Sequence, residues 1–242
     1  MRQRAIVPAL LALMVIAADA PAQWLNLPTP GIPRTADGKP DLNAPAPRTA
    51  DGKPDLSGIW RTPTARYLEN LAADSVGVQM HPWAERLYKE RLANNWRDRP
   101  SASCLPHSVT DFTAHFTPRR VVQVPGLVAF LFESYHTFRQ IHTDGRSLPV
   151  DPEPAWDGYS VGRWDGDTLV VETIGINEKS WLDDSGHPHS ESLKVTERFR
   201  RPTFGRIDVA ITIDDPKAYL KPWTSDFHWE YMPDTELLGW GA

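Results

Sequence analysis

From Arg119 onward the apolar residues switch from helical spacing to a period of two, broken at short turn signals, and this alternation restricts the chain to a mainly β architecture. Val121–Val124 and Leu127–Glu133 flank Pro125-Gly126, and Thr137–Thr143 ends at Asp144-Gly145. Tyr159–Trp164 and Thr168–Ile174 flank Asp165-Gly166, Leu193–Arg201 and Ile207–Ile213 flank Phe204-Gly205, and Asp226–Met232 follows. With Ser57–Arg61 these make about nine candidate strands. Strands joined by tight turns run antiparallel, and so many of them in an open sheet would leave unpaired edges. The expected solution is a closed, antiparallel up-and-down barrel of about eight or nine strands; a two-sheet sandwich is the alternative.

The strands are preceded by two helical patterns, Ala65–Ala72 and Pro82–Asn95, the second with Pro82 suited to a first turn and Trp83, Leu87 and Leu92 roughly on one face. Short N-terminal helices inserted at about 65–96 are therefore expected within a single barrel domain, 57–242. Arg97–Pro106 reads as a loop around Cys104, the sole cysteine, which leaves no internal disulfide.

Residues 23–56 are rich in Pro, Gly, Asp and Lys and hold one string twice, PRTADGKPDL, at Pro33–Leu42 and Pro47–Leu56. The unit is too short for a solenoid, and the segment reads as an extended linker, where added length costs little. Further upstream, Arg2 and Arg4, the apolar stretch Ala5–Ala18 and Ala20-Pro21-Ala22 form the pattern of a secretory signal peptide over 1–22, cut after Ala22. The expectation is a periplasmic or secreted protein with no membrane insertion after cleavage, since the apolar stretch is short for a bilayer span.

Lys and Arg number 26 against 31 Asp and Glu, a net charge of -5, with no basic run, so nucleic acid is not an expected partner. Gly-x-Ser-x-Gly, Walker and dinucleotide fingerprints are all missing from the sequence. Chemistry must therefore be sought in the strand faces and loops.

Ile207, Val209, Ile211 and Ile213 share one face of their strand, whereas the matching face of the preceding strand, Leu193, Val195 and Phe199, includes Glu197. A carboxylate among inward apolar groups needs a partner or a function. Two readings stay open: an ion pair with an arginine such as Arg139, or a general acid or ligand-contacting group within the barrel. Arg139 itself shares a face with Ile141, which suits a strand lining a polar cavity or one partly exposed.

His187-Pro188-His189 places two imidazoles on one side of an extended segment, the nearest approach to a metal signature. Asp144–Trp164 is too long for a tight hairpin, and its Trp156 and Tyr159 can form an aromatic wall beside Asp144 and Asp157, or a packed lid. Ten tryptophans, Trp164 and Trp181 among them, modestly favour a ligand. The leading expectation is a barrel binding a small, largely apolar or aromatic molecule through Arg139, Asp144, Trp156, Tyr159, Trp164 and Trp181. The alternative is a cofactor-free acid–base enzyme, an isomerase, hydratase or lyase, with Glu197, Tyr159 and His189 moving the proton. A third reading is metal-dependent chemistry at His187 and His189. No organic cofactor is expected; a divalent metal is the one candidate.

Leu56-Ser57-Gly58-Ile59-Trp60 is similar to the Gly-x-Trp opening of lipocalin-like barrels. A longer string runs from Arg139-Gln140-Ile141 through Asp144-Gly145-Arg146, Gly158-Tyr159-Ser160, Gly162-Arg163-Trp164, Gly166–Val171 and Glu197-Arg198-Phe199 to Asp215-Pro216. It resembles a family of exported bacterial proteins of uncharacterised activity over roughly residues 54–238. The resemblance implies a barrel and export, and it assigns no catalytic residue.

Overall fold

The computed structural model describes residues 28–238, so the expected leader, Trp24 and Trp240 lie outside the described residues. Nine strands close into one barrel in sequence order: β1 (Gly58–Arg61), β2 (Arg119–Val124), β3 (Leu127–Phe132), β4 (Phe138–His142), β5 (Tyr159–Asp165), β6 (Thr168–Ile174), β7 (Lys194–Thr203), β8 (Arg206–Asp214) and β9 (Trp223–Tyr231). Closure is completed by β1 pairing antiparallel with β9 through Trp60 opposite Tyr231.

The barrel corrects the antiparallel up-and-down expectation at one seam, where β4 and β5 run parallel, with Ile141 opposite Ser160 and His142 opposite Val161. Parity is the reason. Strands that strictly alternate in direction close on themselves only in even numbers, so a closed ring of nine must contain a parallel pair. The chain places that pair across residues 143–158, an excursion too long for a tight hairpin, which leaves β4 at His142 and enters β5 at Tyr159 beside the same end of β4.

Among the described residues three α-helices precede or interrupt the strands: α1 (Arg66–Glu69), α2 (Pro82–Ala93) and α3 (Val109–Ala114). Pro82 occupies the first turn of α2, where its missing N–H is harmless. Every residue of α3 is buried, and Ser108 caps it by accepting from the Asp111 amide. Its last turn enters the barrel: the carbonyl of Thr113 accepts from Trp229 Nε1 at 3.0 Å and from Arg119 Nη1 at 2.6 Å.

Inward residues fill the lumen. Phe130, Phe199 and Trp229 meet with ring centroids 5.2–5.6 Å apart, surrounded by buried Ile141, Leu169, Val171, Val195 and Ile211.

Residues 28–56 differ from the expected extended linker. The two copies of the repeat fold alike. In the first, Thr35 N donates to Lys39 O at 2.9 Å and Asp41 N to Pro33 O at 2.7 Å; in the second, Thr49 N donates to Lys53 O and Asp55 N to Pro47 O, both at 2.9 Å. Each turn relies on a glycine at positive φ, Gly38 at 82° and Gly52 at 79°. The segment lies as a strap along the barrel: Gly205 N donates to Leu42 O and Phe204 N to Ala44 O, each at 2.8 Å. Arg34 pairs with Asp234 and Arg48 with Asp167.

Candidate functional site

Glu197 on β7 is fully buried and faces Arg139 on β4 across the lumen. Arg139 Nη1 donates to Oε1 at 3.0 Å and Nη2 to Oε2 at 2.5 Å, while Thr113 Oγ1 from α3 donates to Oε1 at 2.7 Å. The other guanidinium hydrogens go to Ser160 Oγ and to Thr173 Oγ1 at 2.9 Å. Both charges are therefore paired and nearly all their hydrogen-bonding capacity is used, the condition under which a buried ion pair is tolerated. Of the two readings of Glu197, the geometry matches the ion pair with Arg139.

Beside the β4–β5 seam lies a hollow of about 540 Å³, lined by Phe138, Arg139, His142, Arg146, Asp157, Tyr159 and Ser160 among others. Its origin is the parallel pairing: only two residue pairs register across the seam, so the strands part and the 143–158 excursion arches over the gap. Phe138 is 59% exposed and Tyr159 38%, a large aromatic surface for solvent to hold without a partner.

Asp157 is the group in this hollow without a settled environment. Its Oδ1 is buried and has no hydrogen-bond partner. Burial pushes the carboxyl up to about 6, and the charge of Arg139 offsets only part of that rise. Gly158 fixes the chain here with φ 61°: a Cβ would stand 2.5 Å from Ile174 O, so no larger residue fits between Asp157 and Tyr159. Tyr159 Oη donates to Glu153 O at 3.0 Å. Asp144 does not line the hollow but clamps Arg146, which does; Arg146 Nη2 lies 2.7 Å from Asp144 Oδ2, and these hydrogen bonds hold the Asp144 carboxyl down at about 2.

The other expected residues lie elsewhere. Trp156 is half-buried in the excursion. Trp164 lines a separate hollow of about 330 Å³ with Gln123 and Val128. Trp181 is buried, with the Arg91 guanidinium 4.2 Å above its ring. His187 Nδ1 is 2.6 Å from Asp183 Oδ2, and its ring stacks on Tyr88. His189 directs Nδ1 to Ser190 O at 3.1 Å and Nε2 to Ser180 Oγ at 2.8 Å, and burial lowers its proton affinity, so it is a neutral ring donating from Nδ1 and accepting at Nε2. The two imidazoles thus turn to different partners. Among the described residues no group of three or more His, Cys, Asp or Glu side chains could hold a metal ion.

The structure therefore brings Arg139, Tyr159 and, through Arg146, Asp144 to one hollow. It separates Glu197, Tyr159 and His189, which occupy the lumen, the seam and a groove beside α2 respectively. Sequence reasoning missed Ser160, Thr173 and Thr113 as partners of the lumen pair. Ser160 was open to detection, because its place in Tyr159–Trp164 puts it on the face opposite Tyr159. Compared with known proteins, the chain matches no family model, no curated protein and no solved structure.

Proposed function

We propose that this protein is an exported binding protein for a small aromatic or largely apolar molecule that carries one hydrogen-bond donor, held in the hollow at the β4–β5 seam. On this reading the lipocalin-like barrel expected from the sequence is a filled scaffold, and its wall, not its lumen, carries the ligand. The observation that supports this most is Asp157: a buried carboxylate oxygen without a partner, beside exposed Phe138 and Tyr159, in a hollow of small-ligand size. A hydroxyl or amine on the ligand would supply the missing donor, and the two rings would cover its apolar body.

The test is calorimetric titration with phenol, benzyl alcohol and benzylamine, each against toluene as the matched molecule without a donor. The donor-bearing compounds should bind tighter than toluene, and Asp157→Asn should reduce that preference while Phe138→Ala weakens all four. Equal binding of toluene and phenol, or no effect of either substitution, would count against the site.

A second reading, cofactor-free acid–base chemistry in the same hollow, is favoured by the Asp157 carboxyl at about 6, which is poised to exchange a proton near neutral pH. In that case Asp157, with Tyr159 beside it, takes the role the sequence suggested for Glu197. Turnover with an ionisation near pH 6 that vanishes in Asp157→Asn would select it over binding alone.

A further inference from the structure

Between α2 and the loops that follow β6 and β8 runs a groove of about 440 Å³ that shares no lining residue with the seam hollow. Helix α2 supplies one wall through Trp83, Leu87 and Arg91, which are spaced four residues apart and so fall on one face. That wall passes from an indole through an aliphatic side chain to a guanidinium. Lys179 and His189 line the groove as well, and the Trp83 indole is fixed by its Nε1–H, which donates to Lys217 O at 2.7 Å.

Arg91 is held differently from the fully buried arginines. Arg139 has Glu197, whereas Arg119 donates to the carbonyls of Thr113 and His115, and Arg201 to those of Phe204 and Asp55. Arg91, half-buried, donates to one carbonyl, Gly186 O at 2.9 Å, and rests one face of its guanidinium 4.2 Å over the Trp181 ring. Among the described residues it forms no ion pair. Its Nε and Nη2 donate to no described group and are not sealed within the protein, so they open to solvent, and the hollow that Arg91 lines is this groove. Burial pulls its proton affinity down to about 10, and the fields of Tyr219, Asp183 and Asp98 offset only part of that fall. Asp183 is itself committed to His187. Water can hydrogen-bond such a group but brings no opposite charge; an anion does both.

We infer that this groove is a second binding site, for a small organic carboxylate whose acid group pairs with Arg91 and whose apolar body lies along Leu87 and Trp83. The two oxygens of a carboxylate match the fork of N–H donors on a guanidinium. Arg91, Lys179 and Lys217 stand against Glu178 and Glu191, so the groove is net positive on a chain whose net charge is -5. Glu191 does not serve Arg91, because Lys217 Nζ takes it at 3.2 Å. The two hollows call for opposite chemistry: Asp157 at the seam asks for a donor, and Arg91 for an acid. The groove also has the size of a small-ligand pocket.

The experiment is nitrogen-15 NMR of the full chain at pH 7 and low salt, titrated with benzoate and separately with benzamide, a neutral molecule of nearly the same shape. The reporters are the Trp83 indole and the Arg91 Nε–H, assigned by their loss in Trp83→Phe and Arg91→Gln. Benzoate should shift both signals saturably, half-complete at a concentration about tenfold or more below that needed for benzamide. Added salt should weaken benzoate and leave benzamide unchanged. In Arg91→Gln the Trp83 indole should no longer distinguish the two compounds. Equal responses to both in the wild-type chain, no saturable response to benzoate, or benzoate shifts that gather at the seam and leave Trp83 and Arg91 unmoved would overturn the proposal. The comparison of the two compounds needs only the wild-type chain, so it decides the matter even if Arg91→Gln disturbs the loop at Gly186.

Discussion

Arg139 and Glu197 are joined through both nitrogens and both oxygens inside the barrel, and the pair ties β4, at the parallel seam, to β7 on the opposite arc. The last turn of α3 is fastened to the same carboxylate through Thr113. Three parts of the fold thus meet on one buried charge pair. Breaking such a pair from one side leaves an uncompensated ion in a dry interior.

Glu197→Gln is accordingly expected to lower the free energy of unfolding by about 3–5 kcal/mol, read from urea denaturation. Replacing both members, Arg139→Met with Glu197→Met, should cost less than the sum of the two single changes. A loss below about 1 kcal/mol for Glu197→Gln would contradict the placement of the pair.

Asp157 gives a pH prediction of definite sign. Its carboxyl is raised from 3.8 to about 6 in the folded chain, so the fold holds that proton more tightly than the unfolded chain does. The resulting stabilisation is complete below about pH 4 and is lost as the pH rises through 6. Asp157→Asn removes the titration, and it should make the protein more stable than wild type at pH 8 by about 1–3 kcal/mol and no more stable at pH 4. Thermal melts across that range, run without ligand, read the difference directly; a uniform offset at all pH values would be the contrary result.

His115 works in the opposite direction. Burial, aided by the charges of Arg119 and His107, lowers its imidazole from 6.5 to about 3. Its Nδ1 accepts from the Thr117 amide at 3.2 Å, as the neutral ring requires. Stability from this residue is complete above pH 6.5 and falls as the pH drops toward 3, by about 1.4 kcal/mol per unit along the steep part. His115→Gln should flatten the acid limb of the stability curve between pH 6 and 4. An unchanged limb would mean that other groups carry the acid sensitivity.

The strap is tested at Gly205. A Cβ there would lie 2.5 Å from Leu42 Cβ and 2.9 Å from Leu42 O, so Gly205→Ala should lift the first repeat from the barrel. The expected result is faster proteolytic cleavage within residues 28–56 and a loss of about 1–3 kcal/mol. Arg48→Ala, at an exposed pair, should cost less than about 1 kcal/mol. Cleavage of Gly205→Ala at the wild-type rate would show that the strap does not depend on this contact.

Much of the barrel was legible because alternation is a local signal: Ile207, Val209, Ile211 and Ile213 all point inward as their spacing demands. Each of the nine expected strands is present, with ends shifted by at most a few residues. The parallel seam was legible only in part. The length of Asp144–Trp164 excluded a tight hairpin, but its direction follows from the parity of the whole ring, which no local window contains. Helix α3 was missed because Thr110 and Thr113 break its apolar pattern, and its burial is set by the barrel end that receives it. Its start was marked by Ser108 and Asp111 three residues apart, a capping pattern that could have been read. Of the residues singled out by type and position, Arg139 and Tyr159 line the hollow, whereas Asp144 reaches it only through Arg146. The orphaned oxygen of Asp157 was not, because a proline-rich segment gives no sign of which carboxylate it will bury.

The most direct test of the central claim is amide chemical-shift mapping of the carbon-13- and nitrogen-15-labelled protein with phenol. The seam site predicts saturable shifts clustered at Phe138, Gln140, Gly158, Tyr159 and Ser160, reduced in Asp157→Asn. Shifts centred instead on lumen residues such as Val171, Val195 and Ile211, or no saturable shift anywhere, would contradict it.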